Sequence, residues 1–259
     1  MIKPGLCSVS FKQKEIHEVI ALVKETKLQA IEWIGNVHVP PGDIESAEKA
    51  GILTREAGLE VAAYGSLFRL GTEMDFTPHL QSAISLKTNQ MRIWAGISGK
   101  SSCEYTKEER KTLVFEAKEA CKRAAEHGIT LSAECHDGSL TDCVESQLLF
   151  LEEVNEPNLK TYWQELLTLP TDIHIPSLAA VLNSGNLSNI HVYNYNIFEN
   201  GRERLLISDG FQKWKQRFEL LKDDSTDRYA LIEFVKDNSV DSFFSDAKTI
   251  CSLCEIANK

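Results

Sequence analysis

The stretch "LSAECHDGSLTD", residues 131–142, contains the pattern from which the fold is predicted. It begins as an apolar strand and ends in a carboxylate and an imidazole, Glu134 and His136. Alternate residues of a strand face the same side, so both side chains point the same way if the strand continues to His136. Burying such groups is costly unless a partner satisfies them. The stretch therefore predicts a site at the end of this strand.

The same unit recurs along the chain: a turn or polar residue, a short apolar strand, and a polar or aromatic residue at the strand end. Eight segments have it: 5–11, 28–33, 59–65, 89–96, 128–134, 158–164, 188–195 and 228–234. Helix-like stretches with apolar residues three and four apart lie between them. Successive strands start roughly 30 residues apart, the size of one βα unit. Eight such units predict an α/β protein with a (β/α)8 TIM barrel.

The competing architecture is an open, doubly wound sheet. That fold usually carries a glycine-rich phosphate loop after its first strand, and "CSVSFKQKE" (7–15) has none. No linker rich in Pro, Gly or Ser interrupts the chain, so residues 1–259 are predicted to form one domain. The longest connections follow strand ends, where the active sites of TIM barrels lie. They are 35–43, 66–76, 95–105 and 194–209.

Composition excludes several classes of protein. The net charge of −10 argues against a nucleic-acid partner, which demands a basic surface. No apolar run is long enough to cross a membrane, and the N-terminus lacks the features of a signal peptide. Seven cysteines, an odd number, argue against a disulfide framework, so a cytoplasmic location is expected. Cys251 and Cys254 form a single CxxC, interpreted as two small residues on a helix rather than a zinc site.

Polar side chains at the strand ends are expected to converge at the mouth of the barrel. They are Glu32, Glu134, His136, Gln164, His191 and Glu233. A divalent cation would satisfy such a buried group of polar side chains. Carboxylate and amide oxygens with imidazole nitrogens suit Mn²⁺, Mg²⁺, Co²⁺ or Zn²⁺. Cys135 alternates with Glu134 and is expected to point outward, between barrel and helices.

Structural roles compete with these functional ones. Glu32 could instead pair with Arg92 across the mouth, and His191 could be a satisfied core histidine. His38 lies in a predicted loop and is equally well interpreted as a surface residue. Trp94, two residues after Arg92, could pack in the core or stack on a sugar ring.

The segments taken together resemble the xylose isomerase-like TIM barrels, in order and over nearly the whole chain. That superfamily includes sugar-phosphate isomerases and epimerases, dehydratases and a DNA endonuclease. The most specific match is "ECHDGSLTD" (134–142), which is similar to the family's segment after strand five. The other matching segments are "LCSVSF", "AIEW", "MRIWAG", "HVYNYN" and "ALIEF".

The resemblance implies a metal site on strands five to eight. Its ligands would be Glu134, Gln164, His191 and Glu233, and His136 would contact substrate or support the ligands. Strand six departs from the family, whose members commonly have Asp at the position of Gln164. The neutral amide removes one negative charge, so weaker metal binding is expected.

A second departure lies three residues further along strand six. Leu167 stands where the family has His. Glu165 could substitute as a ligand, but strand parity points it away from Gln164.

These observations predict a metal-dependent isomerase or epimerase acting on a sugar, a sugar phosphate or a related polyol, with Mn²⁺ the preferred ion. Glu134 and Glu233, expected to face each other across the barrel, would move a proton next to a carbonyl. The ion would bind substrate oxygens and stabilise the enediolate. The predicted substrate-binding residues are Glu32, His38, Arg92, Trp94 and His136.

Three alternatives remain open at this stage. A lyase on the same scaffold would use the same base and metal to expel a β-hydroxyl group, as a dehydratase does. Endonuclease activity is opposed by the acidic charge. A sugar-binding protein that lost catalysis together with the strand-six Asp would not bind metal. The sequence leaves substrate identity and homo-oligomerisation open.

Overall fold

The computed structural model describes residues 1–222 and 224–259 and confirms the predicted (β/α)8 barrel. Its strands are β1 (Ile2–Cys7), β2 (Ala30–Ile34), β3 (Glu60–Arg69), β4 (Gln90–Trp94), β5 (Thr130–Glu134), β6 (Leu159–Trp163), β7 (Leu187–Val192) and β10 (Arg228–Ile232). All are parallel, and β1 closes the barrel by pairing with β2 on one side and β10 on the other. Strands β8 (Tyr195–Phe198) and β9 (Gly201–Arg204) form an antiparallel hairpin after β7.

Among the described residues, eight helices surround the barrel. They are α1 (Ile16–Lys24), α2 (Ile44–Glu56), α3 (Phe76–Leu86), α4 (Lys107–Ala125), α5 (Val144–Val154), α6 (His174–Asn183), α7 (Phe211–Leu220) and α8 (Val240–Ala257). The longest, α4, starts at a capping box in which Thr106 and Glu109 bond each other's backbone N–H. None of the helices in the described ranges combines the length and apolarity that a bilayer crossing requires.

The first and third strands differ from their predicted extents. The predicted strand 5–11 ends at Cys7, and Ser8–Phe11 forms a 3₁₀ turn, in which the Ser8 hydroxyl accepts a hydrogen bond from Ile34 N at 2.9 Å. The predicted strand 59–65 continues to Arg69, across a shift of register against β4. Residues 66–69 are therefore strand rather than connection.

Large aromatic side chains fill the layer between barrel and helices. Trp33 and Trp163 point outward from β2 and β6, and their indole N–H groups bond Thr54 and Ser177 at 3.0 Å. Trp214 of α7 packs edge-on against Trp163, with the ring centroids 6.2 Å apart. Removal of one such buried side chain typically costs about 3–5 kcal/mol. This layer fixes the strands from outside and leaves their inward ends for polar groups.

Candidate metal centre

Five charged or ionisable side chains meet inside the C-terminal end of the barrel. This inner cluster consists of Glu32, Arg92, Glu134, His191 and Glu233. Every member is at most 6% exposed. Successive residues of a strand face opposite sides, so these side chains point into the barrel. Their neighbours Trp33, Cys135 and Val192 point the other way, toward the helices or the barrel wall.

Arg92 lies between two carboxylates. Its Nε donates to Glu32 Oε1 at 3.0 Å, and its Nη1 forms a short ion pair with Glu134 Oε2. The guanidinium is only 2% exposed. The predicted substrate contacts of Arg92 and Glu32 stay predictions, since both side chains are engaged with each other in the structure. The structure contains the ion pair between Arg92 and Glu32 that was the alternative interpretation of these residues.

His191 lies between the ion pairs of Arg92 and the other members of the cluster. Its Nε2 lies 3.5 Å from Glu32 Oε1. Its Nδ1 lies 3.1 Å from Gln164 Oε1 and 3.4 Å from both Glu134 Oε1 and Glu233 Oε2. One ring nitrogen thus faces three oxygen atoms, more than a single N–H can satisfy.

Gln164 is held so that its amide oxygen faces the cluster. Its Nε2 donates to the Cys135 carbonyl at 2.7 Å, which directs Oε1 toward His191. Glu165, the next residue, points the other way and pairs with Arg217 at 2.6 Å and Lys213 at 2.8 Å. The structure therefore brings the four predicted ligands together and keeps Glu165 apart.

The geometry and the charge of the cluster both fit a divalent cation. Three carboxylates and one guanidinium leave two negative charges when His191 is neutral. Adjacent ligands of an ion with bonds of about 2.1–2.3 Å lie about 3.0–3.3 Å apart when they subtend a right angle. The distances of 3.1–3.4 Å around His191 Nδ1 match that spacing. The nearest donor atoms of Glu134, His191 and Glu233 all lie within 4.8 Å of one another.

The same buried charges shift the pKa values of the cluster residues. Burial raises the pKa of Glu32 and of Glu134, but Arg92 and His191 outweigh burial and bring each to about 2. Burial lowers the pKa of His191, but Glu233 and Glu32 together raise it to about 10. Burial raises the pKa of Glu233 against the opposing charge of His191. Without an added cation, the cluster therefore favours a protonated imidazole.

Glu134 and Glu233 were expected to face each other across the barrel, and in the structure they extend from widely separated strands and meet at His191. Both approach the same nitrogen of His191 at 3.4 Å. Strands β5 and β10 are three positions apart in the closed sheet of eight, with β6 and β7 between them one way and four strands the other way, so the two carboxylates reach His191 from nearly opposite parts of the barrel.

The segment that follows β5 fixes His136 at the edge of the cluster. The Ser139 hydroxyl donates to His136 O at 2.7 Å, and the Thr141 hydroxyl donates to Glu134 O at 2.5 Å. His136 Nδ1 lies 2.7 Å from the Asp137 carbonyl, which can only accept, so Nδ1 carries the proton in the neutral ring and Nε2 is a free acceptor.

Trp94 and Arg69 extend the mouth beyond His136. The Trp94 and His136 ring centroids are 4.5 Å apart, and the Arg69 guanidinium lies 4.0 Å from the Trp94 ring. Arg69 donates to Gly96 O at 3.0 Å and has no carboxylate within ion-pair distance among the described residues. Sequence analysis missed Arg69, because β3 continues through "SLFR" where a connection was predicted.

His38 does not join this group. Its Nε2 lies 3.0 Å from the Lys14 carbonyl, and its ring packs on Trp33, which faces α2. The predicted substrate contact of His38 is therefore not supported: the side chain occupies the barrel–helix layer, because the loop turns it away from the mouth.

No protein-family model matches the chain. A curated relative, 3-dehydroshikimate dehydratase of Bacillus anthracis, is 27% identical over 172 residues. That match covers 61% of this chain and 60% of the relative, so the chain spans under two thirds of the curated relative's length.

Solved structures resemble the chain over almost its full length. The probable 3-DHS dehydratase AsbF of Bacillus anthracis superposes with a TM-score of 0.79 at 20% identity, covering 97% of this chain and 99% of its own. A D-psicose 3-epimerase has a TM-score of 0.73 at 13% identity and full coverage of both chains. A xylose isomerase-like TIM barrel protein of Mycobacterium smegmatis, in complex with magnesium, has a TM-score of 0.72 at 13% identity, covering 100% and 98%. The chain therefore has the fold of the xylose isomerase-like TIM barrels, as the resemblance of its sequence predicted.

Proposed function

We propose that this protein is a divalent-metal-dependent enzyme that removes a proton next to a carbonyl group of a small polyhydroxylated substrate. The observation that carries the proposal is the arrangement of three oxygen atoms around His191 Nδ1, in a cluster that has two surplus negative charges when His191 is neutral. A purely structural cluster would be expected to balance its own buried charges.

The ion would be held by Glu134, Gln164, His191 and Glu233. When bound, it supplies Lewis-acid polarisation of substrate oxygens. Mn²⁺ remains the preferred candidate, because the ligand set is mostly oxygen with one imidazole nitrogen. Glu32 Oε1 lies 3.5 Å from Nε2 on the far side of His191, an arrangement that favours Nδ1 as the ligand atom.

Proton transfer would fall to groups that the ion pairs leave free. Glu134 is tied to Arg92 and is a poor base. Glu233 has no cationic side chain beyond His191 within ion-pair distance among the described residues. His136 presents a free Nε2 at the edge of the mouth. Glu233 and His136 are therefore the proposed proton carriers, and Trp94, whose ring contacts His136 and Arg69, would line the substrate site.

Two reactions share this first step. Return of the proton gives an isomerase or epimerase, the activity in the name of the D-psicose 3-epimerase that the fold resembles. Loss of a β-hydroxyl gives a dehydratase, the activity in the name of the curated relative. A specific observation favours the dehydratase as second candidate: the Arg69 guanidinium on Trp94, which has no carboxylate partner among the described residues, suits a substrate carboxylate.

The test separates proton removal from product formation. Purified protein with Mn²⁺ is incubated in D₂O with D-psicose, D-fructose or 3-dehydroshikimate, and NMR follows exchange of the proton next to the carbonyl. An epimerase yields deuterated epimer from a ketose, and a dehydratase yields a new conjugated chromophore from 3-dehydroshikimate. Glu233→Gln is expected to abolish exchange.

The matched control is Glu165→Gln, whose carboxylate faces away from the site and should leave exchange unchanged. Absence of exchange from all three compounds, together with absence of Mn²⁺ binding, would favour a non-catalytic protein instead.

A further inference from the structure

Helix α4 presents a face that no other described segment covers. Phe115 lies at its centre and is 65% exposed, unusual for so large an apolar side chain. Residues three and four apart share one face of a helix. The exposed members of this face are Glu108, Lys111, Thr112, Phe115, Glu119 and Lys122.

One edge of this face is basic. Lys107, Lys111 and Lys118 line a groove of about 650 Å³ between α4 and α5. Leu149 of α5 also lines it and is 45% exposed. The lysine edge therefore borders apolar surface on one side of Phe115.

The other edge is acidic. Glu116 and Glu119 line a groove of about 320 Å³ on the opposite side of Phe115, together with Asp75 and with Met74, which is 46% exposed. Glu108 lies on the same side of the face, seven residues before Phe115. Within the chain, Glu108 and Lys111 pair at 2.9 Å and are both highly exposed, so the pair contributes little to stability.

We propose that this face binds a second copy of the chain, with the two α4 helices parallel about a two-fold axis. A parallel two-fold places Phe115 against its own counterpart and brings the lysine edge of each copy to the acidic edge of the other. Glu119 then lies beside Lys118 of the other copy, and Glu108 beside Lys111. Leu149 and Met74 flank the aromatic contact from opposite sides.

The charge pattern selects this orientation. Antiparallel helices related by a two-fold place each edge against its own copy, so lysines would face lysines and glutamates would face glutamates. Only the parallel pairing makes both edges complementary. The patch is one helix with two flanking grooves, so a weak, concentration-dependent dimer is expected rather than an obligate one.

The proposal is tested by sedimentation velocity over a concentration series. The wild-type protein should shift from monomer to dimer as concentration rises, and Phe115→Glu should remain monomeric with an unchanged circular dichroism spectrum. Two charge variants sharpen the test: Lys111→Glu with Lys118→Glu reverses two charges of the basic edge, and Glu108→Lys with Glu119→Lys reverses two charges of the acidic edge. Glu116 is left intact because it accepts a hydrogen bond from Gly71 N at 2.6 Å.

Each charge variant alone should be monomeric, and an equimolar mixture should recover the dimer. Orientation is read from Glu108→Cys in a Cys103→Ser background, because Cys103 is exposed. Parallel helices bring the two introduced thiols together, whereas antiparallel helices hold them about 20 Å apart. A monomeric wild type, an unaffected Phe115→Glu dimer, a mixture that stays monomeric or no cross-link between the introduced thiols would each overturn the proposal. None of these outcomes depends on the proposed catalytic activity.

Discussion

The barrel interior and the helix layer each bury a carboxylate, an arginine and a histidine, yet the two groups differ in charge. The outer cluster consists of Glu165, His174, Lys213 and Arg217: one carboxylate faces two cations. The inner cluster has three carboxylates and a single guanidinium. Gln164 and Glu165 are adjacent in sequence and point into different clusters. Burial and ion pairing are thus common to both, and the uncompensated negative charge alone distinguishes the inner cluster as a cation site.

The largest expected effect lies in the outer cluster and concerns stability. Arg217→Ala should lower the free energy of unfolding by about 3 kcal/mol, because it leaves the buried Glu165 carboxylate with only the partly exposed Lys213. Mn²⁺ affinity should not change. Urea unfolding and calorimetric titration measure both quantities, and a variant that loses metal binding while folded would remove the distinction between the clusters.

Loss of the central imidazole should abolish the response to metal. Saturation to one hundred times the dissociation constant stabilises a protein by about 2.7 kcal/mol. His191→Ala should lose this gain, because Nδ1 faces all three oxygen donors. His174→Ala is the matched control, a buried histidine of the outer cluster that should keep the full Mn²⁺-induced rise in melting temperature. Equal losses in both variants would contradict the assignment.

Glu32 should act on metal binding through His191. Glu32→Gln removes the carboxylate 3.5 Å from Nε2 and is expected to weaken Mn²⁺ binding by about 10–100-fold. Glu165→Gln, the same change in the outer cluster, should leave the affinity unchanged. If Glu32→Gln binds Mn²⁺ as tightly as the wild type, then Glu32 only anchors Arg92.

The smallest expected effect concerns Gln164. Gln164→Asp adds a third carboxylate to the ligand set and should tighten Mn²⁺ binding by about tenfold, or about 1.4 kcal/mol. The shorter side chain gives up the hydrogen bond to the Cys135 carbonyl, which limits the gain. Calorimetric titration is the readout, since stronger binding of the ion can slow turnover. Unchanged or weaker binding would mean that the amide oxygen does not face the ion.

Strand parity allowed much of this arrangement to be predicted. Alternation alone directs Glu134 inward and Cys135 outward, and it separates Gln164 from Glu165. The eight βα units predicted the barrel because their spacing is regular. The alternation of strand residues does not predict how far a long side chain reaches. Arg92 extends from β4 to carboxylates on β2 and β5, so its ion pairs depend on the closed barrel.

Loops and strand irregularities limited the remaining predictions. The path of the chain after β2 turns His38 onto Trp33, and no local pattern in the sequence indicates that turn. The register shift in β3 carries Arg69 opposite Trp94, whereas a regular strand was expected to end at residue 65. Both cases depend on contacts between segments distant in sequence.

The central claim is that the surplus charge of the inner cluster belongs to one divalent cation. X-ray diffraction from a crystal soaked in Mn²⁺, recorded near the manganese absorption edge, locates the ion directly by its anomalous signal. A single strong peak about 2.0–2.3 Å from Glu134, Gln164, His191 and Glu233 is the predicted result. An absent peak, or one at the surface carboxylates with the inner cluster still empty, would contradict it.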